Sequence, residues 1–258
     1  MNVLSLFDGM SCGQIALNKA GIKYKKYFAS EIDKYAIKIT QKNYPNTVQL
    51  GDVIKIKGKE LPKIDLLIGG SPCQGFSFAG KQLNFKDPRS KLFFEFVRLL
   101  NECKPKYFLL ENVRMKKEYQ DIISEQLGVK PVMINSSLVS AHNRVRLYWT
   151  NIPIDDLEDK GIILKDIIEY GSVDREKSYC LDANYYKGTN LEQYLKKCRR
   201  QIVFQKDGIR KLTPLECERL QTVPENYTEG VSNTQRYKML GNGWTVDIIS
   251  HIFKNIKI

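Results

Sequence analysis

The fold of this chain is decided by its opening segment, VLSLFDGMSCG, at residues 3–13. The segment begins with a short apolar run that ends in Asp8-Gly9, and a helical pattern follows from about Ser11 to Ala20. That pattern stops at Gly21, as expected where a glycine ends a helix. A strand that turns directly into a helix opens a β-α-β unit, so this segment predicts an α/β fold.

The same alternation continues through the first 150 residues. Further runs read as strands at residues 27–30, 64–68 and 107–110, and at about 131–139 and 145–149. Helical patterns lie between them at about 34–44, ending before Pro45, and at 90–103. Apolar strands alternating with helices predict a mostly parallel sheet with helices on both faces. In such sheets the ligand binds beyond the carboxyl ends of the strands.

Polar or reactive side chains follow these apolar segments. They are Asp8, Glu31, Asp52, Cys73 and Glu111. Because the carboxyl ends of parallel strands meet at one edge of a sheet, we expect these side chains to form a single site.

The composition is that of an ordinary soluble domain with a surplus of positive charge. The 258 residues include 42% hydrophobic and 27% charged residues, and the formal net charge is +12. This length suffices for one sizeable core and a small second lobe. The charge favours a polyanion such as nucleic acid as a partner, although a lysine-rich composition that only maintains solubility would give the same number.

Several other classes of protein are disfavoured. No apolar run approaches the roughly 18 residues of a membrane span, and the first residues lack the pattern of a signal peptide, so we expect a cytoplasmic protein without membrane contact. The six cysteines form no C-x-x-C pair and only two histidines accompany them, so no metal site is predicted.

Cys73 is the cysteine with the most unusual surroundings. It lies in GGSPCQGFS, residues 69–77, directly after a predicted buried strand. Most cysteines are small core hydrophobes, but a core cysteine does not need a loop restricted by glycine and proline. We therefore interpret Cys73 as a nucleophile, with Glu111 as an acid on a neighbouring strand. For Glu111 alone, a helix cap or an ion-pair partner remains an equal alternative.

The other acids suggest a nucleoside ligand. The opening turn is not G-x-G-x-x-G, so a phosphate-binding dinucleotide site is not predicted. Gly9 would let a ligand approach the backbone, Glu31 stands where α/β folds place a ribose-binding acid, and Asp52 could contact an adenine amino group. Each acid taken singly could instead be structural.

The chain changes character after residue 150. Residues 151–212 have mixed charge and weak periodicity, and they include a basic cluster at 196–200 that could contact phosphates or simply be solvated. Thr213-Pro214-Leu215-Glu216 is a capping-box pattern, and helices are predicted at 232–239 and 244–253. The predicted division is a catalytic and cofactor-binding domain at 1–150, a small target-recognition domain at 151–212, a return segment at 213–238 and a C-terminal helix at 239–258.

Five motifs carry a family resemblance. They are Phe7-Asp8-Gly9, Pro72-Cys73-Gln74, Glu111-Asn112-Val113, Arg144-Val145-Arg146 and Gly241-Asn242-Gly243. Their order resembles that of the DNA cytosine-C5 methyltransferases of the bacterial or phage type, and the resemblance spans residues 1–150 and 210–258. Leu92 to Phe96 and Trp244 are similar to the animal de novo branch. The family's glycine pair is replaced by Ser11-Cys12 and its glutamine by His142.

The resemblance implies a fold, a reaction and a cofactor. The fold is the Rossmann-like fold of S-adenosylmethionine-dependent methyltransferases. Cys73 would attack C6 of a cytosine flipped out of double-stranded DNA, and C5 would take the methyl group of S-adenosyl-L-methionine, leaving S-adenosyl-L-homocysteine. The implied catalytic residues are Cys73, Glu111, Arg144 and Arg146. The implied cofactor residues are Phe7, Asp8, Gly9, Ser11, Cys12, Gly13, Glu31, Ile32, Asp52, Val53, Ser71, Asn242 and Trp244.

The resemblance also implies contacts with DNA. Residues 75–91 resemble the family's loop that closes over DNA. The predicted DNA-binding residues are Ser77, Lys81, Gln82 and Arg89, together with Lys196, Lys197, Arg199 and Arg200 of the basic cluster. We expect a monomer and leave a homodimer open.

Three alternatives remain for the function. The first is the same chemistry on tRNA, which is disfavoured because the Cys-Phe-Thr element of the tRNA-modifying branch is absent. The second is a catalytically silent DNA-binding homologue, which would not need Cys73, Glu111 and Arg144 together. The third, a nucleotide-binding dehydrogenase, lacks the required glycine fingerprint.

Overall fold

The computed structural model describes residues 1–72 and 91–257. Its main sheet has seven strands, which are β1 (Asn2–Leu6), β2 (Lys26–Ser30), β3 (Val48–Gln49), β4 (Leu66–Gly69), β5 (Tyr107–Val113), β6 (Val132–Asn135) and β7 (Val145–Thr150). The strands are arranged in the order β3-β2-β1-β4-β5-β7-β6.

Most neighbouring strands in this sheet are parallel. Strands β1 to β5 pair in parallel throughout, and β7 is antiparallel to both β5 and β6. The strand order reverses direction between β1 and β4, and in a sheet of this type that reversal opens a crevice at the carboxyl ends. The predicted α/β fold with a mostly parallel sheet is confirmed.

Helices lie on both faces of the sheet. The helices of the described residues are α1 (Cys12–Lys19), α2 (Lys34–Asn43), α3 (Lys91–Cys103), α4 (Lys117–Leu127), α5 (Leu191–Lys197), α6 (Pro214–Leu220), α7 (Asn233–Asn242) and α8 (Val246–Phe253). Helices α1 and α8 pack on one face, in the buried cluster that contains Ile68, and α3 and α4 pack on the other, in the cluster that contains Leu67. Adjacent residues of β4 thus face opposite layers, as the pleat of a strand requires.

The structure differs from the predicted elements in several places. Helices α4 and α5, strand β3 and a hairpin at residues 202–211 were not predicted. The strand predicted at 131–139 is shorter because residues 136–138 form a turn of 3₁₀ helix, in which the Asn135 side chain accepts the Ser137 N–H. Glu111 was expected just after its strand, but the antiparallel ladder with β7 extends β5 to Val113, so Glu111 lies within the strand opposite Tyr148.

Residues 151–212 contribute to the main core. They contain α5, two 3₁₀ turns, and a hairpin of β8 (Ile202–Gln205) and β9 (Gly208–Lys211). Buried side chains of this segment, including Leu164, Tyr185 and Val203, belong to the same apolar cluster as Val3 of β1. The division into domains stays a prediction. Among residues 1–72 and 91–257, no helix is long and apolar enough to cross a bilayer.

Candidate active site

A cavity of about 550 Å³ opens at the carboxyl ends of β1, β2, β4 and β5. Its wall includes the predicted catalytic residues Glu111, Arg144 and Arg146. The predicted cofactor residues that also line it are Phe7, Asp8, Gly9, Cys12, Glu31, Ile32, Asp52, Val53, Ser71, Asn242 and Trp244. The structure therefore brings together residues that are spread over most of the sequence.

The turn after β1 forms one wall of the cavity. Phe7, Gly9 and Ser11 all have positive φ, at 57°, 59° and 65°. Such backbone is strained for residues other than glycine, and it is tolerated where the surrounding structure imposes it. The turn is fixed by the Gly9 N–H, which donates to Oε2 of Glu31 at 2.7 Å.

Glu31 holds its place by accepting backbone N–H groups. Its Oε2 atom accepts the Gly9 N–H, and its Oε1 atom accepts those of Ile32 and Asp33 at 2.7 and 2.8 Å. Asp52 accepts the Ile54 N–H in the same manner, at 3.1 Å. These backbone N–H groups therefore orient each carboxylate, and both carboxylates still line the cavity.

Asp8 is the acid that the fold perturbs most. Its Oδ1 atom accepts the Tyr27 hydroxyl at 2.7 Å, while its buried Oδ2 atom has no partner among the described residues. Burial raises the pKa of Asp8 to about 6, against the opposing effect of the Tyr27 hydrogen bond. A buried oxygen without a donor at a cavity wall is suited to a ligand that brings one.

Two predicted cofactor residues do not line the cavity. Ser11 is buried, and its hydroxyl accepts the Gln14 side-chain N–H at 2.8 Å. Gly13 lies where α1 crosses the sheet, and a Cβ at this position would approach Ile68 Cδ1 to 2.5 Å and the Tyr27 hydroxyl to 2.6 Å. Both residues support the wall rather than form it. The Cys12 thiol lies beside them in the wall, and burial raises its pKa to about 12.

Glu111 is held by two donors from distant parts of the chain. The Nε atom of Arg146 pairs with its Oε1 atom at 2.9 Å, and the indole N–H of Trp244 donates to its Oε2 atom at 3.1 Å. Glu111 is 8% exposed, so both bonds act in a largely desolvated place. The ion-pair alternative considered for Glu111 is realised, and it coexists with a position in the cavity.

Arg144 has a different role from Arg146. Its guanidinium donates to the backbone carbonyls of Leu181 at 2.8 Å, Gly241 at 3.2 Å and Gly243 at 2.7 Å. It is 3% exposed, and it thereby joins residues of the 151–212 segment to the loop that follows α7. The two arginines therefore have different partners: Arg144 binds backbone carbonyls and Arg146 binds the Glu111 carboxylate.

The first glycine of the Gly241-Asn242-Gly243 motif is required for a steric reason. A Cβ on Gly241 would lie 2.2 Å from the carbonyl carbon of Asp182, so only glycine permits this approach. The Gln221 side chain donates to the Leu240 and Gly243 carbonyls and accepts the Thr245 hydroxyl. The loop that presents Asn242 and Trp244 is thus fixed on both sides.

Sequence reasoning missed some residues of the cavity. They include Gly70, Asn112, Cys180, Leu181, Asp182 and Lys238. Gly70 and Asn112 could have been included, because they adjoin the motifs around Cys73 and Glu111. Residues 180–183 gave no signal, since they lie in a segment without periodicity and reach the cavity only through tertiary packing.

Other predicted residues cannot be related to the cavity or lie apart from it. Cys73 and the predicted DNA contacts Ser77, Lys81, Gln82 and Arg89 lie outside the described residues, while Pro72, which precedes Cys73 in the sequence, lines the cavity. The basic cluster at 196–200 is not part of its wall. Lys196 pairs with Glu192 at 2.6 Å and Arg200 donates to the Gly188 carbonyl, whereas Lys197 and Arg199 are exposed.

The cavity fits S-adenosylmethionine in its chemistry. Glu31 and Asp52 offer carboxylates suited to hydroxyl and amino groups, and Asp8 offers an oxygen that lacks a donor. Ile32 is 76% exposed at the wall, and such a large apolar side chain can cover the face of an adenine ring. A ligand that combines an adenosine, an ammonium and a sulfonium matches these groups.

Comparison with protein-family models gives one match. The model described as "C-5 cytosine-specific DNA methylase" matches residues 1–121 and 115–258. The two matches together extend from one end of the chain to the other.

Curated relatives include methyltransferases of bacteria and phages. The type II methyltransferase M1.ScrFI of Lactococcus lactis subsp. cremoris is 32% identical in an alignment that covers 97% of this chain and 76% of the relative. The type II methyltransferase M.NlaX of Neisseria lactamica is 27% identical, covering 99% of this chain and 96% of the relative. The orphan methyltransferase M.SPRI of Bacillus phage SPR is 37% identical, covering 66% of this chain and 43% of the relative.

Solved structures share the fold over almost the whole chain. The Entamoeba histolytica methyltransferase EhMeth superposes with a TM-score of 0.79 at 19% identity, covering 100% of this chain and 99% of that one. The S. pombe Dnmt2 methyltransferase superposes with a TM-score of 0.72 at 18% identity, covering 98% and 97%. At these identities the likeness shows the fold alone.

Proposed function

Because this chain belongs to the C-5 cytosine-specific DNA methylase family, we propose that it methylates C5 of cytosine in double-stranded DNA through a covalent bond between Cys73 and C6 of a flipped-out base. Membership of the family makes the chain an enzyme of the DNA cytosine-5 methyltransferase type. The use of S-adenosylmethionine follows from the same membership. The covalent step, the flipped base and the residue roles are the proposal.

One observation carries this proposal. The Glu111 carboxylate lies in a cavity of about 550 Å³ whose wall also holds Glu31, Asp52 and Pro72, the residue before Cys73. The residues that we propose for the base and for the nucleoside donor thus line the same cavity. This proximity is what direct transfer of a methyl group between two bound molecules requires.

Each catalytic residue has a stated task. The Cys73 thiolate adds to C6, and the electron pair of the C5–C6 double bond moves towards the N3 side of the ring. Glu111, in its carboxylic acid form, donates a hydrogen bond to N3 and accepts one from the exocyclic amino group, so it stabilises this charge as it develops. Arg146 holds Glu111 in place, and Arg144 holds the loop beyond it.

The second half of the reaction restores the enzyme. S-adenosylmethionine supplies an electrophilic methyl group, which C5 takes up. Loss of the C5 proton to a base then re-forms the double bond as the bond between C6 and the Cys73 sulfur breaks. The thiolate is regenerated, and the atoms and electrons balance without an oxidant or a metal.

A covalent trap tests the mechanism. We expect duplex DNA containing 5-fluorocytosine to form an adduct with the enzyme that survives denaturation, because fluorine at C5 cannot leave as the proton does. Mass spectrometry of the digested adduct should locate the bond at Cys73. The Cys73→Ala variant should form no adduct and transfer no methyl group, while it still binds S-adenosylhomocysteine.

Cys103 provides a matched control. Its thiol lies on α3 and is half-buried outside the cavity wall, so Cys103→Ala should form the adduct like the wild type. Normal turnover by Cys73→Ala would refute the proposed mechanism. Parallel assays with unmethylated duplex DNA and with tRNA distinguish the proposed substrate from its alternative, and transfer to tRNA alone would overturn the DNA assignment.

A further inference from the structure

Trp244 makes a contact that its motif does not suggest. The family resemblance groups this residue with the cofactor contacts, yet its indole N–H donates to Oε2 of Glu111 at 3.1 Å across 133 residues of sequence. The other oxygen of the same carboxylate pairs with Nε of Arg146 at 2.9 Å. Each carboxylate oxygen therefore has its own donor.

We propose that Trp244 is a positioning residue for Glu111: together with Arg146 it fixes the plane of the Glu111 carboxyl group, so that one oxygen faces N3 and the other faces the amino group of the target base. The inference rests on the proposed function, because it assigns the work of Glu111 to a cytosine. It assigns a task to a tryptophan that would otherwise be only a cofactor contact.

The need for two donors follows from the chemistry of the side chain. The last torsion of glutamate joins an sp³ to an sp² carbon, and such torsions are broad rather than confined to narrow wells. With Arg146 alone, the carboxylate could still rotate about that bond. A second donor on the other oxygen removes this freedom, and a carboxylate that contacts N3 and the amino group at once requires a defined plane.

Trp244 is itself rigidly placed. The carbonyl of the preceding residue, Gly243, accepts hydrogen bonds from the buried side chains of Arg144 and Gln221. The hydroxyl of the following residue, Thr245, donates to Gln221 and lies 3.2 Å from Nε2 of His142. The backbone on both sides of Trp244 is thus held by contacts that do not involve Glu111.

Gly70 shows that this contact depends on close packing. A Cβ on Gly70 would lie 3.0 Å from both Oε2 of Glu111 and Nε1 of Trp244, the two atoms that form the hydrogen bond. The φ of Gly70 is not positive, so alanine is compatible with its backbone. Gly70→Ala therefore disturbs the same bond from the opposite side and provides a second variant.

The test compares Trp244→Phe with the wild type in methyl transfer to unmethylated duplex DNA and determines kcat and KM for DNA separately. We expect Trp244→Phe to lower kcat about tenfold, the order expected for the loss of one hydrogen bond, and to leave KM for DNA within about twofold. A residue that positions Glu111 acts on the reacting geometry, so its loss should appear in kcat. Gly70→Ala should lower kcat in the same way.

A matched control is the second tryptophan of the chain. Trp149 is fully buried and also donates its indole N–H to a side-chain oxygen, Oγ of Ser124, at 3.0 Å, but it is not in the cavity wall. Trp149→Phe should leave kcat and KM unchanged. In that variant the remaining tryptophan fluorescence comes from Trp244, and adding Glu111→Ala should shift its emission maximum, because the indole N–H loses its acceptor.

Other outcomes would overturn the inference. An unchanged kcat in Trp244→Phe would do so. Calorimetric binding of S-adenosylhomocysteine weakened about tenfold, with kcat unchanged, would return Trp244 to the cofactor. If the wild type transfers no methyl group to DNA, the proposed function fails, whereas the emission of Trp244 with and without Glu111→Ala still decides whether Trp244 contacts Glu111.

Discussion

Asp8 is a buried carboxylic acid at the cavity wall, and its environment makes the stability of the protein depend on pH. Burial raises its pKa from 3.8 to about 6, while the hydrogen bond from Tyr27 acts in the opposite direction. The folded chain therefore holds a proton that the unfolded chain releases at lower pH. The favourable contribution of this proton to folding is complete below pH 4, and it is lost as the pH rises through about 6.

We expect Asp8→Asn to make the protein more stable than the wild type at pH 8, by on the order of 1–3 kcal/mol, and to have little effect at pH 4. Asparagine keeps an acceptor for the Tyr27 hydroxyl, but it carries no charge. The measurement is urea unfolding of both proteins at the two pH values. An equal loss of stability at both values would contradict the argument.

Asp247 is a control for which stability should depend on pH in the opposite direction. It accepts hydrogen bonds from Lys19 and Lys160, both at 2.8 Å. Burial opposes their effect, but these bonds outweigh it and lower the pKa of Asp247. Its favourable contribution is present above the unfolded pKa and is lost as the pH falls. Asp247→Asn should therefore destabilise the protein at pH 8 more than at pH 4.

At the level of elements, α6 shows how a local sequence pattern becomes part of a larger network. The capping box predicted at Thr213–Glu216 is confirmed: Oγ1 of Thr213 accepts the Glu216 N–H at 3.1 Å, and Oε2 of Glu216 accepts the Thr213 N–H at 2.7 Å. The Glu216 carboxylate is fully buried and also binds Arg210 through both oxygens. The local pattern predicted the cap but not this ion pair.

We expect Thr213→Ala to lower the free energy of unfolding by about 1 kcal/mol, since it removes the acceptor for the first turn of α6. The hydroxyl also donates to Glu169 at 2.6 Å, so its loss affects two neighbours. Thr213→Ser is the matched control, because serine keeps the oxygen. Urea unfolding should rank serine close to the wild type, and a serine variant as unstable as the alanine variant would show that the methyl group matters instead.

At the scale of the molecule, residues 151–212 share one buried cluster with β1, α1 and α8. Arg144 adds a polar tie, because it joins the Leu181 carbonyl to those of Gly241 and Gly243. Such continuity favours cooperative unfolding over two independent transitions. It also means that residues 180–183, far from the motifs in the sequence, help to shape the cavity.

We expect the whole described core to lose its protection together. Hydrogen exchange measured by mass spectrometry in increasing urea should give the same midpoint for peptides from residues 1–20 and from residues 200–212. A fragment comprising residues 151–212 alone should be unfolded by circular dichroism. An earlier midpoint for 200–212, or a folded fragment, would show that this segment is an autonomous domain.

The sequence alone determined the class of fold and the edge of the sheet where the site lies. Apolar runs alternating with helical patterns are local signals, and the carboxyl ends of parallel strands share one edge. Asp8, Glu31, Asp52 and Glu111 could therefore be grouped from their positions along the chain. The wall residues Phe7, Ile32 and Asn242 came from the family motifs instead.

Tertiary structure alone decided the partners within that site. Three contacts depend on how distant segments pack. Arg146 rather than Arg144 pairs with Glu111, Trp244 contacts Glu111, and Gly241 packs against Asp182. No local periodicity encodes these contacts, because each joins elements whose separation in sequence is far longer than a strand or a helix. Their geometry follows from the shared core, which no single segment specifies.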